Sequence, residues 1–148
     1  MNAIVASKPT EQAEEDLTVL AAQEQRLPQL QKEVAAGAWC ASTGPEIPAP
    51  DDWFRRDGEP AYPWLRRRKQ LVAACGACPV RAACEESALR QGDGVHPVGA
   101  DMVRGGRTAM ELHRARTKQA SRLAAAVAED ERSARRARPR WSAAAPAA

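Results

Sequence analysis

Four residues in this chain are best equipped for chemistry: Cys40, Cys75, Cys78 and Cys84, which are all of its cysteines. They are spaced C-x34-C-x2-C-x5-C. The two-residue gap between Cys75 and Cys78 lets both sulfurs meet one centre at the end of a turn. Cys84 follows on the helix expected after Pro79, and Cys40 returns from a distant segment. Four thiolates suit tetrahedral zinc or an iron–sulfur cluster, because soft sulfur ligands select those metals. A zinc site usually pairs two close knuckles, whereas here one knuckle is joined by two widely spaced cysteines. The broader cluster fits that spacing more naturally, and zinc stays open.

Two readings do without a metal. The first is a pair of disulfides, or inert buried thiols. The start of the chain, MNAIVASKPTEQ, lacks a basic segment followed by a long apolar one, so no signal peptide is expected. The location implied is cytoplasmic and reducing, where structural disulfides are uncommon. The second is a protein disulfide reductase using Cys75 and Cys78, but a thioredoxin-like βαβ pattern is missing. No catalytic residue is expected, and the chain reads as a binding protein rather than an enzyme.

The elements that must position the cysteines are helical. From Thr10 to about Val34, Leu17, Leu20, Ala21, Leu27, Leu30 and Val34 recur at helical spacing, and Pro28 should kink or break the run. Residues 41–63 read as loop because Pro45, Pro48, Pro50, Pro60 and Pro63 interrupt them. Helix resumes near Trp64 and again after Pro79, a residue suited to a first helical turn. Gly92, Gly94, Pro97, Gly99, Gly105 and Gly106 mark a long turn-rich connection. Thr108 and Glu111 then form a T-x-x-E capping box, opening a helix expected to reach about Arg138. Residues 1–9 and the final WSAAAPAA read as flexible termini. No convincing β-alternation and no internal repeat is present, so the expected fold is small and mainly α.

Composition bounds the rest. The 148 residues are 44% hydrophobic and 28% charged, much of the apolar share being alanine, which is too little for a large enzyme core with a deep pocket for a small-molecule substrate. No apolar run approaches the roughly 18 residues of a membrane span. Five of the six aromatics, Trp39, Trp53, Phe54, Tyr62 and Trp64, fall between residues 39 and 64. They are expected to form most of the core and a hydrophobic lid over a metal centre. His96 and His113 are expected in surface or structural roles, since four cysteines already fill a site. A metal would supply the cross-linking that a weak core lacks, so the metal-free form is expected to be loose.

The net charge of +3 hides an asymmetry: residues 1–60 carry five Lys/Arg against eleven Asp/Glu, and residues 114–148 carry nine against three. A dense cluster at Arg132, Arg135, Arg136, Arg138 and Arg140 suits phosphate contacts, because the guanidinium fork donates two hydrogen bonds to one group. Arg138-Pro139-Arg140 is similar to the centre of an AT-hook for the minor groove, with Ala137 in place of the usual glycine. DNA is the partner these arginines predict. A solvated basic helix end, partly neutralised by Glu129, Asp130 and Glu131, is the plainer alternative.

Three segments resemble the WhiB-like (Wbl) family of actinobacteria and their phages. They are Trp39-Cys40, the Asp51-Asp52-Trp53-Phe54 run, and Cys75-Gly76-Ala77-Cys78-Pro79-Val80-Arg81-Ala82-Ala83-Cys84, with Ala88-Leu89 following. The C-x-x-C-P-V-R-x-x-C segment is the specific one. The resemblance covers about residues 36–112 and implies three parts. These are an N-terminal helical extension (1–35), a [4Fe-4S] domain (36–112) and a basic C-terminal helix and tail (113–148). It also implies that Cys40, Cys75, Cys78 and Cys84 hold one [4Fe-4S] cluster at the centre of a small helical fold. Family members regulate transcription by contacting the principal RNA polymerase sigma factor and DNA, and their clusters respond to oxygen or nitric oxide. Trp53, Phe54, Arg104, Gly105 and Gly106 are the sigma-binding candidates carried over. The family's G-[IV]-W-G-G turn is matched here by Val103-Arg104-Gly105-Gly106, with Arg104 where tryptophan is expected. The glycine pair keeps a tight turn possible, while loss of the aromatic anchor weakens an interface built on it.

Overall fold

In the computed structural model, residues 11–42, 44, 45, 47–92 and 102–138 are described. Thr10, His96, Pro139, Arg140 and most of the expected turn-rich connection lie outside these residues, as do both expected flexible ends. Among the described residues there are six α-helices and one short hairpin: α1 (Glu11–Glu24), α2 (Leu27–Gly37), α3 (Ala61–Gly76), α4 (Arg81–Gln91), β1 (Val103–Arg104), β2 (Arg107–Thr108), α5 (Ala109–Lys118) and α6 (Ala120–Ala137). Two 3-10 turns, Trp39–Ala41 and Pro50–Trp53, punctuate the proline-rich stretch. The fold is mainly helical, and no described helix is long and apolar enough to cross a membrane.

Local chemistry sets the boundaries. The first apolar run divides into α1 and α2 because Pro28 enters the first turn of α2 and has no N–H to continue the preceding helix. Gln29 Oε1 accepts from the Arg26 N–H at 2.9 Å, capping the new start. Helix α3 starts earlier than expected, at Ala61, since Pro63 falls within its first turn, where a missing N–H costs no hydrogen bond. Pro79 instead precedes the cap of α4, which begins at Arg81. The expected capping box forms: the Glu111 N–H donates to Thr108 Oγ1 at 3.3 Å and the Thr108 N–H to Glu111 Oε2 at 2.8 Å. The helix it opens is interrupted at Gln119, whose side-chain oxygen is drawn to Arg122, and α6 then runs on to Ala137.

Helix α4 is the hub. Ala83, Glu86, Ser87, Ala88, Leu89 and Arg90 are all buried on it, and α1, α2, α5, α6 and β1 pack around it. One apolar cluster joins Ala83 to Ala22 and Leu30, and another joins Ala88 and Leu89 to Leu112 and Leu123. A third, comprising Trp53, Trp64, Leu71, Cys75 and Val103, lies where α3 meets the hairpin. The N-terminal helices and α6 are therefore packed onto the cysteine-bearing segment. Only two of the five neighbouring aromatics, Trp53 and Trp64, join the core; Phe54 and Tyr62 are exposed and Trp39 is half-buried. Leucines, alanines and paired charges fill the rest.

Those charges also correct the expected face of α1. Leu17 and Leu20 point outward, while Ala22 is buried. The reason is Arg90, whose guanidinium donates to the carbonyls of Gln23 and Gln25, each at 2.8 Å, and so rotates the end of α1 toward it. Arg90 also donates to Glu86 at 2.7 Å and to Asp130 of α6 at 3.1 Å. Arg122 grips the same Glu86 through two bonds of 2.9 Å. Burial pushes the Glu86 carboxyl up, but the two guanidiniums outweigh it and hold the group below its ordinary value. Its contribution to stability is full above the ordinary carboxylate range and is lost as pH falls through that lowered value.

Replacing Arg90 by leucine takes the guanidinium from Asp130 and Glu86 and the donor from two carbonyls, in a site that is largely buried. The expected loss is about 3–5 kcal/mol in urea denaturation. Thr108→Ala, which removes one side of an exposed cap, is expected to cost about 1 kcal/mol. Comparable small losses in both variants would count against α4 as the hub.

Candidate metal centre

Each cysteine reaches the centre by a different local device. Cys40 lies in the 3-10 turn that follows α2. Cys75 is in the last turn of α3, and the Cys78 N–H donates back to its carbonyl at 3.1 Å. The Cys78 carbonyl in turn accepts from the Arg81 N–H at 3.2 Å, so consecutive turns reverse the chain between α3 and α4. Cys84 sits in the first turns of α4, its N–H donating to the Val80 carbonyl at 2.9 Å. All four thiols are free and line one cavity of about 280 Å³.

The wall of that cavity is apolar. Val34 and Ala38 come from α2 and the residue after it, so a boundary at residue 35 cuts through the wall. Trp39, Trp53 and Phe54 form an aromatic side; Tyr62 and Trp64, also expected in a lid, do not line it. Val80, Val103 and Gly105 complete the surface, and among the described residues Arg81 and Arg104 bring the only charged groups to it. His113 is half-buried on α5 and lies off this surface.

The thiols share one electrostatic field. Burial pushes Cys75 up to about 11, and charge on Cys84, Cys78 and Cys40 would push the same way; the backbone N–H of Gly106 opposes them. Cys40 is raised too, by burial first and then by Cys84 and Cys78, against a pull from Arg104. Four thiolates cannot gather here without a cation to offset them. With no carboxylate or imidazole among the described residues of the wall, the donor set is one for soft metals. A single zinc ion would draw its sulfurs to about 3.8 Å of one another, from a Zn–S distance of about 2.3 Å in a tetrahedron. No group of three or more His, Cys, Asp or Glu side chains among the described residues is arranged to hold one metal ion.

The hairpin closes one edge. Gly105 and Gly106 both have positive φ, 56° and 75°, as a two-residue turn of this kind requires. Gly105 is needed for space as well: a Cβ there would lie 2.5 Å from the Cα and N of Glu85 on α4. The pair seats the turn beside Cys84, leaving Arg104 half-buried on β1 at the cavity rim. Of the carried-over surface candidates, Trp53 is only 5% exposed and its indole donates to the Pro48 carbonyl, so it serves the core. Phe54 is 59% exposed and can be reached from outside.

A side chain that carries no signal in the sequence holds the aromatic side. Arg67 of α3 binds Glu59 through both guanidinium nitrogens and stacks 5.1 Å over the Trp64 ring. Hydrogen bonding from Arg67 brings the Glu59 carboxyl down to about 2, so the pair stays ionised well below the usual carboxylate range. The arginines expected to meet DNA lie far along α6. Arg132 pairs with Glu129 at 2.6 Å and Arg135 with Glu131 at 3.5 Å, while Arg136 and Arg138 are exposed. Exposed pairs of this kind are worth little.

Protein-family models, curated proteins and solved structures give no match to this chain. The cavity and the charge of α6 are what bear on function.

Gly58 also has a positive φ, 71°, but a Cβ there would meet nothing within 4 Å. Gly58→Ala is therefore expected to cost about 1–2 kcal/mol from backbone strain alone. Gly105→Ala should cost about 1–3 kcal/mol more, as overpacking does. Thermal melts of the two variants side by side check this, and an equal cost would show that the hairpin has room to shift from α4.

Proposed function

We propose that this chain is a [4Fe-4S]-containing transcription regulator, responsive to redox state or nitric oxide, that contacts DNA and an RNA polymerase sigma factor. One observation carries the reading: four free thiols, from three separate parts of the chain, line a single apolar cavity of about 280 Å³. Cys40, Cys75, Cys78 and Cys84 would hold the cluster. The uneven C-x34-C-x2-C-x5-C spacing favours a cluster over a zinc ion, which usually takes two close knuckles. When bound, it supplies one-electron chemistry and a centre open to attack by oxygen or nitric oxide.

The remaining roles belong to the chain's own side chains. Arg81 and Arg104 place positive charge on the wall, offsetting the negative charge that four thiolates bring. Trp39, Trp53 and Phe54 would limit the access of water on their side of the cavity, where Cys75 is buried, while Cys40 stays exposed. Phe54 and Arg104, the reachable groups at the rim, are the contacts for a sigma factor, with Gly105 and Gly106 shaping the turn and Trp53 seating its neighbour. The C-terminal arginines from Arg132 to Arg140 hold the DNA backbone. The chemistry is binding and sensing, without a catalytic residue or small-molecule substrate.

Anaerobic purification followed by iron, acid-labile sulfide and zinc analysis tests the centre. Iron and sulfide in equal amount, with visible absorbance that disappears when any one cysteine is changed to serine, is the expected result. Colourless protein carrying one zinc and no sulfide would mean a structural zinc module instead. For DNA, truncation before Arg132 is expected to flatten the dependence of log K on log salt by about 0.9 for each phosphate that the shortened chain no longer neutralises. An unchanged slope would remove the C-terminal arginines from the interface.

A further inference from the structure

Two of the three aromatics on the cavity wall, Trp53 and Phe54, are carried by residues 52–59, which lie outside any long helix. Within this stretch Arg56 pairs with Asp52 at 2.6 Å, and Arg55 donates to the Glu59 carbonyl at 2.8 and 3.0 Å. A β-bridge between Phe54 and Met102 ties its backbone to the residue before β1. Its mooring to α3 is Arg67. Nε donates to the Asp52 carbonyl at 3.1 Å and Nη2 to the Phe54 carbonyl at 3.0 Å, one on each side of Trp53. Nη2 also reaches Glu59 Oε2 at 2.6 Å, and Nη1 reaches Glu59 Oε1. Trp53, held between those two carbonyls, packs in the same apolar cluster as Cys75.

We infer that Arg67 and Glu59 are a positioning pair that keeps the Trp53–Phe54 wall closed on the thiol cavity and so sets the order in which reactive molecules reach the sulfurs. The inference deepens the function proposed above and rests on it only for the nature of the group protected. Control of access to the thiols needs no metal. With the wall closed, Cys40 is exposed, Cys78 and Cys84 are half-buried, and Cys75, at 8% exposure, is packed in the apolar cluster that contains Trp53. Releasing Arg67 leaves the Phe54–Met102 bridge to hold this backbone and loosens it on both sides of Trp53, so Cys75 gains most and Cys40 least. General loosening of the fold would instead speed all four together.

The test is alkylation of the reduced, chelator-treated full-length chain with iodoacetamide, each cysteine quantified by mass spectrometry. In the unaltered chain Cys40 is expected to react first and Cys75 last. Arg67→Lys keeps the charge but loses the fork that holds two carbonyls and a carboxylate at once. In Arg67→Lys and Glu59→Gln the Cys75 rate is expected to rise on the order of tenfold relative to Cys40, as loss of a charged hydrogen bond implies. Leu123→Ala, in the cluster around α5 and α6, is the comparison for instability alone and should leave that ratio unchanged.

Equal reactivity of Cys75 and Cys40 in the unaltered chain would overturn the inference. So would an unchanged ratio in both wall variants with circular dichroism like that of the unaltered chain. If Arg67→Lys unfolds, Glu59→Gln alone decides. A shifted ratio in a protein that takes up no iron or sulfide would leave the positioning pair standing and the cluster reading fallen. A loaded cluster with an unshifted ratio would do the reverse.

Discussion

A short helix with neighbours on nearly every side must have something other than large apolar side chains at its surface. Helix α4 meets this with alanine and serine, which let the surrounding helices approach, and with Glu86 and Arg90, which demand partners. Arg90 is the stronger constraint, because a guanidinium removed from water needs all its donors met. It finds them in Glu86, Asp130 and the carbonyls at the end of α1. Those bonds fix where α1 stops, how it is turned and where α6 crosses. The Leu27 N–H donates to the same Asp130 at 3.1 Å, so the start of α2 is set by that carboxylate too.

The cavity depends on this arrangement. Helix α2 must lie along α4 for Val34 and Ala38 to face the sulfurs, and the hairpin must press on Glu85 to close the edge beside Cys84. Helix α2 is thus part of the wall, although the resemblance to WhiB-like proteins covers only residues from about 36 onward. A further tie runs from α1 to the cavity itself: Glu15 pairs with Arg81, which lines it. Segments that the sequence separates by charge and composition are joined in the fold by opposite charges meeting on α4.

Features with short-range causes were legible in the sequence. Pro28 breaks a helix wherever it stands, Thr108 and Glu111 cap one from three residues apart, and Gly105-Gly106 makes a tight turn. The convergence of four cysteines was legible because sulfur has few other uses in such numbers. The features that stayed hidden arise from contacts across the fold. Leu17 and Leu20 repeat at helical spacing as a core face would, yet Arg90 turns them outward, and nothing near α1 announces an arginine on α4. Arg67 stands in a run of Arg66, Arg68 and Lys69 with nothing local to set it apart. Only the fold places it over Trp64 and against Glu59. The aromatics mislead for a related reason: their clustering in sequence suggests clustering in the core, but the irregular loop sends Trp53 inward and Phe54 outward.

That alternation is what makes the loop useful beside the thiols. A wall made wholly of core residues would seal the cavity and leave nothing for a partner to touch. A wall made wholly of surface residues would admit water and oxidants to the sulfurs. On the proposed function, Trp53 inside and Phe54 outside would give one loop both roles, and Arg67 binds the carbonyl that precedes Trp53 and the carbonyl of Phe54 itself. A protein seated on Phe54 would therefore press on the same backbone that shields Cys75, and movement of Trp53 would be felt at Phe54. Coupling between a docking surface and a sulfur site requires an element that both can bias. On that proposal the four thiols acquire a second half: the cysteines would define what can be held, and the moored aromatic loop what can reach it.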